Sequence, residues 1–315
     1  MKQRSLVYAA FALLASLGAA PSSHAADATN TDPSQDRARA GRSTGYEGID
    51  TASLETVTTP ERLKSVAGGG FAPTEIWRAL EHGEKVECLD CIPQVSKLLF
   101  NENAKTREIS AWWLRRRIFG VFGPGEVYSQ LITTLADQSQ PEKKRAYAAQ
   151  ALGEFLLGAG VEHVAQAIVD DPSPLVRLGA VRALERMNSA GSNSELSVAL
   201  ADSDEQVRLA AVHATTRINI FNDIAALAAR LDDSSSTVRS QALDALGAMK
   251  AKDAVVAIVA KLSPSTETAA SVRAAAAAAL GEIGDGAARD AVQDARDNDP
   301  DHFVRDAAAV ALRRL

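Results

Sequence analysis

The sequence predicts an all-α protein, an α-α superhelix (α-solenoid) of about seven helix pairs. Three observations predict it. One helical pattern recurs at a near-constant period through the C-terminal half of the chain. Across the copies, with Thr215 the one exception, the residues at offsets of 0, 4, 8 and 11 are apolar, and these offsets trace a single stripe along an α-helix. Aromatic residues make up 5% of the chain against an apolar content of 46%. The core must therefore be built from Ala, Leu, Val and Ile, side chains small enough to let helices approach closely.

Taken in order, residues 1–25 read as a secretory signal. Lys2 and Arg4 give the positive start, Leu6 to Ala20 the apolar run, and Ser23-His24-Ala25 a small-x-small cleavage site, so a mature chain is expected to begin near Ala26. No Cys stands just after the apolar run, which argues against a lipoprotein. No later stretch reaches the roughly 18 apolar residues that a spanning helix needs, so no membrane span is expected in the mature chain, and a periplasmic or secreted location follows. Residues 26–59 are rich in Asp, Thr, Ser, Arg and Gly without an apolar stripe, and read as a disordered tether.

Residues 60–104 read as an N-terminal cap region containing a CxxC loop. Pro60 is a helix-start signal, Gly68-Gly69-Gly70 a break, and Pro73 to about Glu81 a second helix with Ile76, Trp77 and Leu80 on one face. Residues 105–315 read as the repeat solenoid. Two degenerate pairs come first, roughly Ile92 to Arg117 and Glu126 to Leu157, with Gly123-Pro124-Gly125 between them. Five regular units follow, marked by Val176-Arg177, Val207-Arg208, Val238-Arg239, Val272-Arg273 and Val304-Arg305, at steps of 31, 31, 34 and 32 residues. Four residues after each Val stand Ala180, Ala211, Ala242, Ala276 and Ala308, and eight after it Leu184, Thr215, Leu246, Leu280 and Leu312. Each second helix thus has one apolar face. The first helices are short: Val161 to Val169, Ser194 to Leu200, Asp223 to Leu231, Asp253 to Leu262 and Ala287 to Ala295. A pair this small cannot bury its own apolar face and must stack on its neighbours.

Acidic turns precede the second helices at Asp171-Pro172, Asp202-Ser203-Asp204, Asp232-Asp233 and Asp299-Pro300. A carboxylate at a helix start accepts backbone N–H bonds. The Arg one turn inside can reach the acidic turn of the adjacent repeat. Arg145, Arg177, Arg208, Arg239, Arg273 and Arg305, with Asp171, Asp204 and Asp233, are therefore expected to set the stacking register. A catalytic row of acids and bases is the competing reading, but a feature present in every unit is better explained by what every unit needs.

This pattern, Asp-x-x-x-x-Val-Arg-x-x-Ala-x-x-Ala-Leu-x-x-Ile/Met, resembles the HEAT-like repeats of the phycobilisome-linker lyase type, well over residues 136–315 and loosely over 90–135. The resemblance implies a HEAT-like α-solenoid. Members range from bilin lyases to scaffolds and a di-iron hydroxylase that uses His-Glu dipeptides. Here the order is reversed, in Glu81-His82 and Glu162-His163. No di-iron site is expected, and an exported chain would not meet cytoplasmic phycobiliproteins.

Two regions are candidate sites. Cys88 and Cys91 are three apart and precede Pro93. They could form a structural disulfide, exchange electrons, or bind a metal or cofactor with His82 as a third ligand. No His follows Cys91, which rules out c-type haem attachment. The second region holds Trp112, Trp113, Arg115, Arg116 and Arg117. Successive helix residues point about 100° apart, so these five cannot all face the core. Either one Trp fills the interface to the cap while the Arg side chains meet acids such as Glu102 and Glu108, or the cluster anchors an anionic partner.

The formal charge is −6, and −8 without Lys2 and Arg4, which disfavours general nucleic-acid binding. No phosphate loop, HExxH or nucleophile elbow is present, and no cofactor is expected. The function read from the sequence is a periplasmic, non-catalytic interaction scaffold for an unidentified protein partner. The alternative is a redox or metal/cofactor-handling assembly factor using Cys88 and Cys91.

Overall fold

The structure, a computed structural model, describes residues 58–86, 88–117, 125–156, 158–188, 193–218 and 221–315. The signal segment, the tether up to residue 57 and the Gly123-Pro124 break lie outside the described residues. The last two tether positions belong to the folded part: Thr58 is buried, and Thr59 caps the first helix, its Oγ1 accepting from the Arg62 N–H at 3.3 Å.

Sixteen α-helices and no strand occur among the described residues. They are α1 Pro60–Ala67, α2 Pro73–His82, α3 Ile92–Lys97, α4 Ala104–Arg117, α5 Gly125–Ala136, α6 Glu142–Phe155, α7 Val161–Asp170 and α8 Pro174–Met187. Then come α9 Asn193–Leu200, α10 Glu205–Arg217, α11 Ile224–Ala228, α12 Ser236–Ala248, α13 Val255–Val259, α14 Ala270–Ile283, α15 Arg289–Asn298 and α16 His302–Ala311. Seven pairs run from α3/α4 to α15/α16, with the α1/α2 hairpin in front. Gly69 and Gly70 adopt positive φ in the break between α1 and α2, a backbone conformation that side chains disfavour.

The even-numbered helices stack on one another in a continuous row. The apolar stripe explains the row: Val176, Val207, Val238, Val272 and Val304 are fully buried, as are the five Ala residues four positions on. Each such Val contributes about 1.5–3 kcal/mol when it leaves water. Thr215 stands where other units have Leu, and its hydroxyl is satisfied by donating to the Val212 carbonyl at 2.7 Å. Glycine lets the backbones meet: a Cβ on Gly153 would lie 2.6 Å from the Ala183 Cα, and one on Gly281 2.7 Å from the Ala311 Cα.

An arginine ladder joins the units. Arg145 donates from Nε and Nη2 to Asp171 at 3.1 and 2.9 Å, and Arg177 to Asp202 at 2.6 and 2.8 Å. Arg208 binds Asp233 at 2.7 and 2.9 Å, Arg239 binds Glu267 at 2.7 and 2.9 Å, and Arg273 binds Asp299 at 2.8 and 3.0 Å. The remaining Nη1 of Arg177, Arg208, Arg239 and Arg273 donates to two backbone carbonyls of its own turn. Each acid also accepts the backbone N–H two residues on, as Asp202 does from Asp204 at 2.8 Å. One carboxylate thus shapes its own turn and clamps the Arg of the preceding unit.

Asp204 is a correction to the sequence reading. It caps α10, accepting from the Gln206 and Val207 N–H groups at 2.9 and 3.1 Å, while Asp202 takes Arg177. The carboxylate two residues earlier faces the preceding helix, and the later one faces its own helix start. Arg305 is a second correction: among the described residues it makes only the own-turn half of the arrangement, to the Asp299 and Pro300 carbonyls. The three extra residues of the 34-residue step lie in the turn before α14, and there the longer side chain of Glu267 replaces Asp. Burial pushes the carboxyls of Asp202, Asp233, Glu267 and Asp299 up, but the Arg and backbone hydrogen bonds more than offset it and hold all four below their usual values.

Candidate functional site

Cys88 and Cys91 lie in the loop between α2 and α3 with their sulfurs at disulfide distance, 2.10 Å. Cys91 is fully buried and Cys88 nearly so, while Leu89 and Asp90 between them are exposed. An outside thiolate therefore reaches neither sulfur unless the loop opens. Among the described residues no three His, Cys, Asp or Glu side chains gather in a way that could hold a metal ion. His82 does not complete a ligand set with the two Cys.

The Trp and Arg cluster divides by helix face. Trp113 is fully buried, and its Nε1 donates to the Gly83 carbonyl at 3.0 Å. Arg117, one turn on, lies 3.5 Å from the Trp113 ring centroid and is also buried. Its guanidinium donates to the carbonyls of Trp113, Gly83, Glu84 and Val86 at 2.6–2.8 Å. Trp113 and Arg117 thus hold the cap loop against α4 and are not partner contacts, which corrects two of the five candidates. The loop supplies carbonyls that no helix satisfies, and a buried guanidinium has the donors to satisfy them.

The other three remain at the surface in part. Arg116 pairs with Glu84 and lies 5.5 Å from the Trp112 ring centroid, and Arg115 donates to the Glu154 carbonyl at 3.1 Å. The acids expected to meet them are engaged elsewhere: Glu102 pairs with Lys143 at 3.4 Å and Glu108 with Lys105 at 3.5 Å.

The sequence reading missed a groove of about 390 Å³ between α4, α6 and α8, floored by Leu99 and Ala151. Arg107, Tyr147, Gln150 and Arg182 line it together with Glu108, Glu154 and Glu185. Arg107 lies 3.8 Å from the Tyr147 ring centroid and donates to Gln150 Oε1 at 3.2 Å. Its Nη1 binds the Asn101 and Glu102 carbonyls at 2.7 and 3.1 Å, which is the own-turn half of the ladder. The signal was present in the chain: the turn acid after Arg107 is Asp137, 30 residues on, against 25–28 in the five paired units. Farther along the row, the Asp244 carboxyl is pushed up by burial and by Glu282.

Residues 161–223 and 224–313 match the family model of HEAT repeats. No curated protein matches the chain. Among solved structures, YibA of Escherichia coli is 17% identical over 84% of this chain and 95% of its own, with a TM-score of 0.55. Human deoxyhypusine hydroxylase in complex with glycerol is 22% identical over 84% of this chain and 97% of its own, with a TM-score of 0.36. The CpcE and CpcF complex of phycocyanin lyase from a Nostoc species is 19% identical over 71% and 94%, with a TM-score of 0.38. At these identities likeness concerns the fold alone, and only the YibA score is high enough to bear on it. The period, the stacked row of second helices and the family match agree: this chain is a HEAT-like repeat protein.

Proposed function

We propose that the chain is an exported, non-catalytic scaffold that binds a protein partner along the row of second helices. One observation carries this reading. The stripe facing inward repeats almost unchanged from unit to unit, whereas the outward position five residues after each ladder Arg differs every time: Gln150, Arg182, His213, Asp244, Ala278 and Val310. Uniform inner residues serve stacking. Individual outer ones give an extended surface with its own chemical sequence, as a binding solenoid requires. Export is supported by the Lys2/Arg4 start, apolar run and Ser23-His24-Ala25 site.

Two measurements test the proposal. Amino-terminal sequencing of the protein from periplasmic extract is expected to begin at Ala26, and a cytoplasmic chain starting at Met1 would overturn the export. A pull-down on the purified chain is expected to retrieve a reproducible protein partner, and retrieval of none would count against the scaffold. The rival role, dithiol exchange or metal handling at Cys88 and Cys91, requires thiols that react in the native protein. The burial of both sulfurs supports a structural role instead.

A further inference from the structure

The groove between α4, α6 and α8 holds two cations without a carboxylate. Its three acids are already paired: Glu108 with Lys105 at 3.5 Å, Glu154 with Arg186 at 2.5 Å, and Glu185 with Arg217 at 3.3 Å. Arg182 is exposed and makes no ion pair or hydrogen bond with any described residue. Arg107 is the first member of the ladder, and in the five units that follow, the Nε and Nη2 edge of the Arg takes a carboxylate from the next turn. At Arg107 the Nε is buried with no acceptor, and Nη2 has only the neutral Gln150 amide. The acid that would have served, Asp137, is held by the Ser139 N–H and hydroxyl at 2.9 and 2.6 Å and by the Gln140 amide at 3.0 Å.

A guanidinium left with a neutral stand-in, in one groove with a second that has no partner among the described residues, is a seat for an outside carboxylate. Resting on the scaffold reading, we propose that this groove receives an acidic segment of the partner protein, with one Asp or Glu carboxylate displacing the Gln150 amide and bridging Arg107 and Arg182. The walls favour peptide over a bare anion. The half-buried Tyr147 ring offers apolar contact for a neighbouring side chain, and the partly enclosed site strengthens a charge pair relative to open surface.

The test uses the full chain and a fluorescein-labelled, end-capped peptide alternating Glu and Ala, with Gln/Ala and Lys/Ala counterparts, followed by anisotropy at low salt. The Glu peptide is expected to bind roughly tenfold or more tightly than the Gln peptide, since the difference is a charge-assisted hydrogen bond. Arg182→Gln, at an exposed position, is expected to remove that preference with an unchanged circular dichroism spectrum, and Arg107→Gln to do the same if it folds. Equal binding of the Glu and Gln peptides, or indifference to Arg182→Gln, would overturn the proposal. So would displacement by inorganic phosphate at concentrations equal to the peptide's, because the site would then read a bare anion. Partner capture equal for the native chain and Arg182→Gln sinks the groove and spares the scaffold. Arg182-dependent peptide binding with no partner captured does the reverse.

Discussion

Asp202 and Asp204 stand two residues apart in one turn and are assigned different work, so exchanging each for Ala separates the ladder from the cap. Asp202 is 6% exposed in its side chain and Arg177 13%, and the two are joined by two hydrogen bonds of 2.6 and 2.8 Å. Asp202→Ala strands a largely buried guanidinium, which costs about 3 kcal/mol, and removes an acceptor from the Asp204 N–H, which costs about 1 kcal/mol more. Asp204→Ala loses only the α10 cap, worth about 1 kcal/mol. With an m value near 3 kcal/mol/M, urea unfolding followed by circular dichroism should place the Asp202→Ala midpoint about 1.3 M below the native one and the Asp204→Ala midpoint about 0.3 M below it. In Arg177→Ala/Asp202→Ala the second change should cost much less than it does alone, with a coupling of about 2 kcal/mol. Equal costs for the two Asp variants, or additive Arg177 and Asp202 effects, would refute the ladder.

Other outcomes follow from the same contacts. The ladder carboxyls of Asp202, Asp233, Glu267 and Asp299 titrate lower in the folded chain than in the unfolded one. As pH drops the unfolded state therefore takes up protons first, so the urea midpoint should be flat from pH 7 to about 5 and fall below about pH 4. Gly281→Ala drives a Cβ to within 2.7 Å of the Ala311 Cα and should cost about 1–3 kcal/mol, read as a lower midpoint and faster amide exchange in α14 and α16. Arg117→Met removes the donors to the carbonyls of Gly83, Glu84 and Val86 and should cost about 3 kcal/mol, with Trp fluorescence moving to the red as Trp113 gains water. Reducing the Cys88–Cys91 pair opens a very short loop, so the chain-entropy loss is only about 2 kcal/mol, and hydrogen exchange should rise in α1 and α2 while α7 to α16 stay protected.

The repeat was legible because stacking imposes the same demand on every unit. Val at the start of each second helix, Ala one turn later and the Arg beside the Val are read directly from their spacing. The choice between Asp202 and Asp204 was not legible, since both sit in the turn and either can cap or pair. Only the direction of each carboxylate decides, and period says nothing about direction. Glu267 escaped for a related reason: three inserted residues moved the acid away from the Asp-rich pattern, and a longer side chain recovered the reach. Trp113 and Arg117 are a helical turn apart and could have been placed on one face. What turned that face inward is a set of loop carbonyls at Gly83, Glu84 and Val86, which no residue type announces. The groove depends on an absence, the missing carboxylate opposite Arg107, and shows only when that unit is set beside the paired ones.

Site-specific photo-crosslinking shows directly whether a partner binds along the second helices. A photoreactive residue is placed at Gln150 or Gln241 on the second helices and at Gln166 or Val256 on the first, and the cells are irradiated. Protein adducts are expected from Gln150 and Gln241, with little from Gln166 and Val256. Adducts from the first-helix positions alone would contradict binding along the second helices.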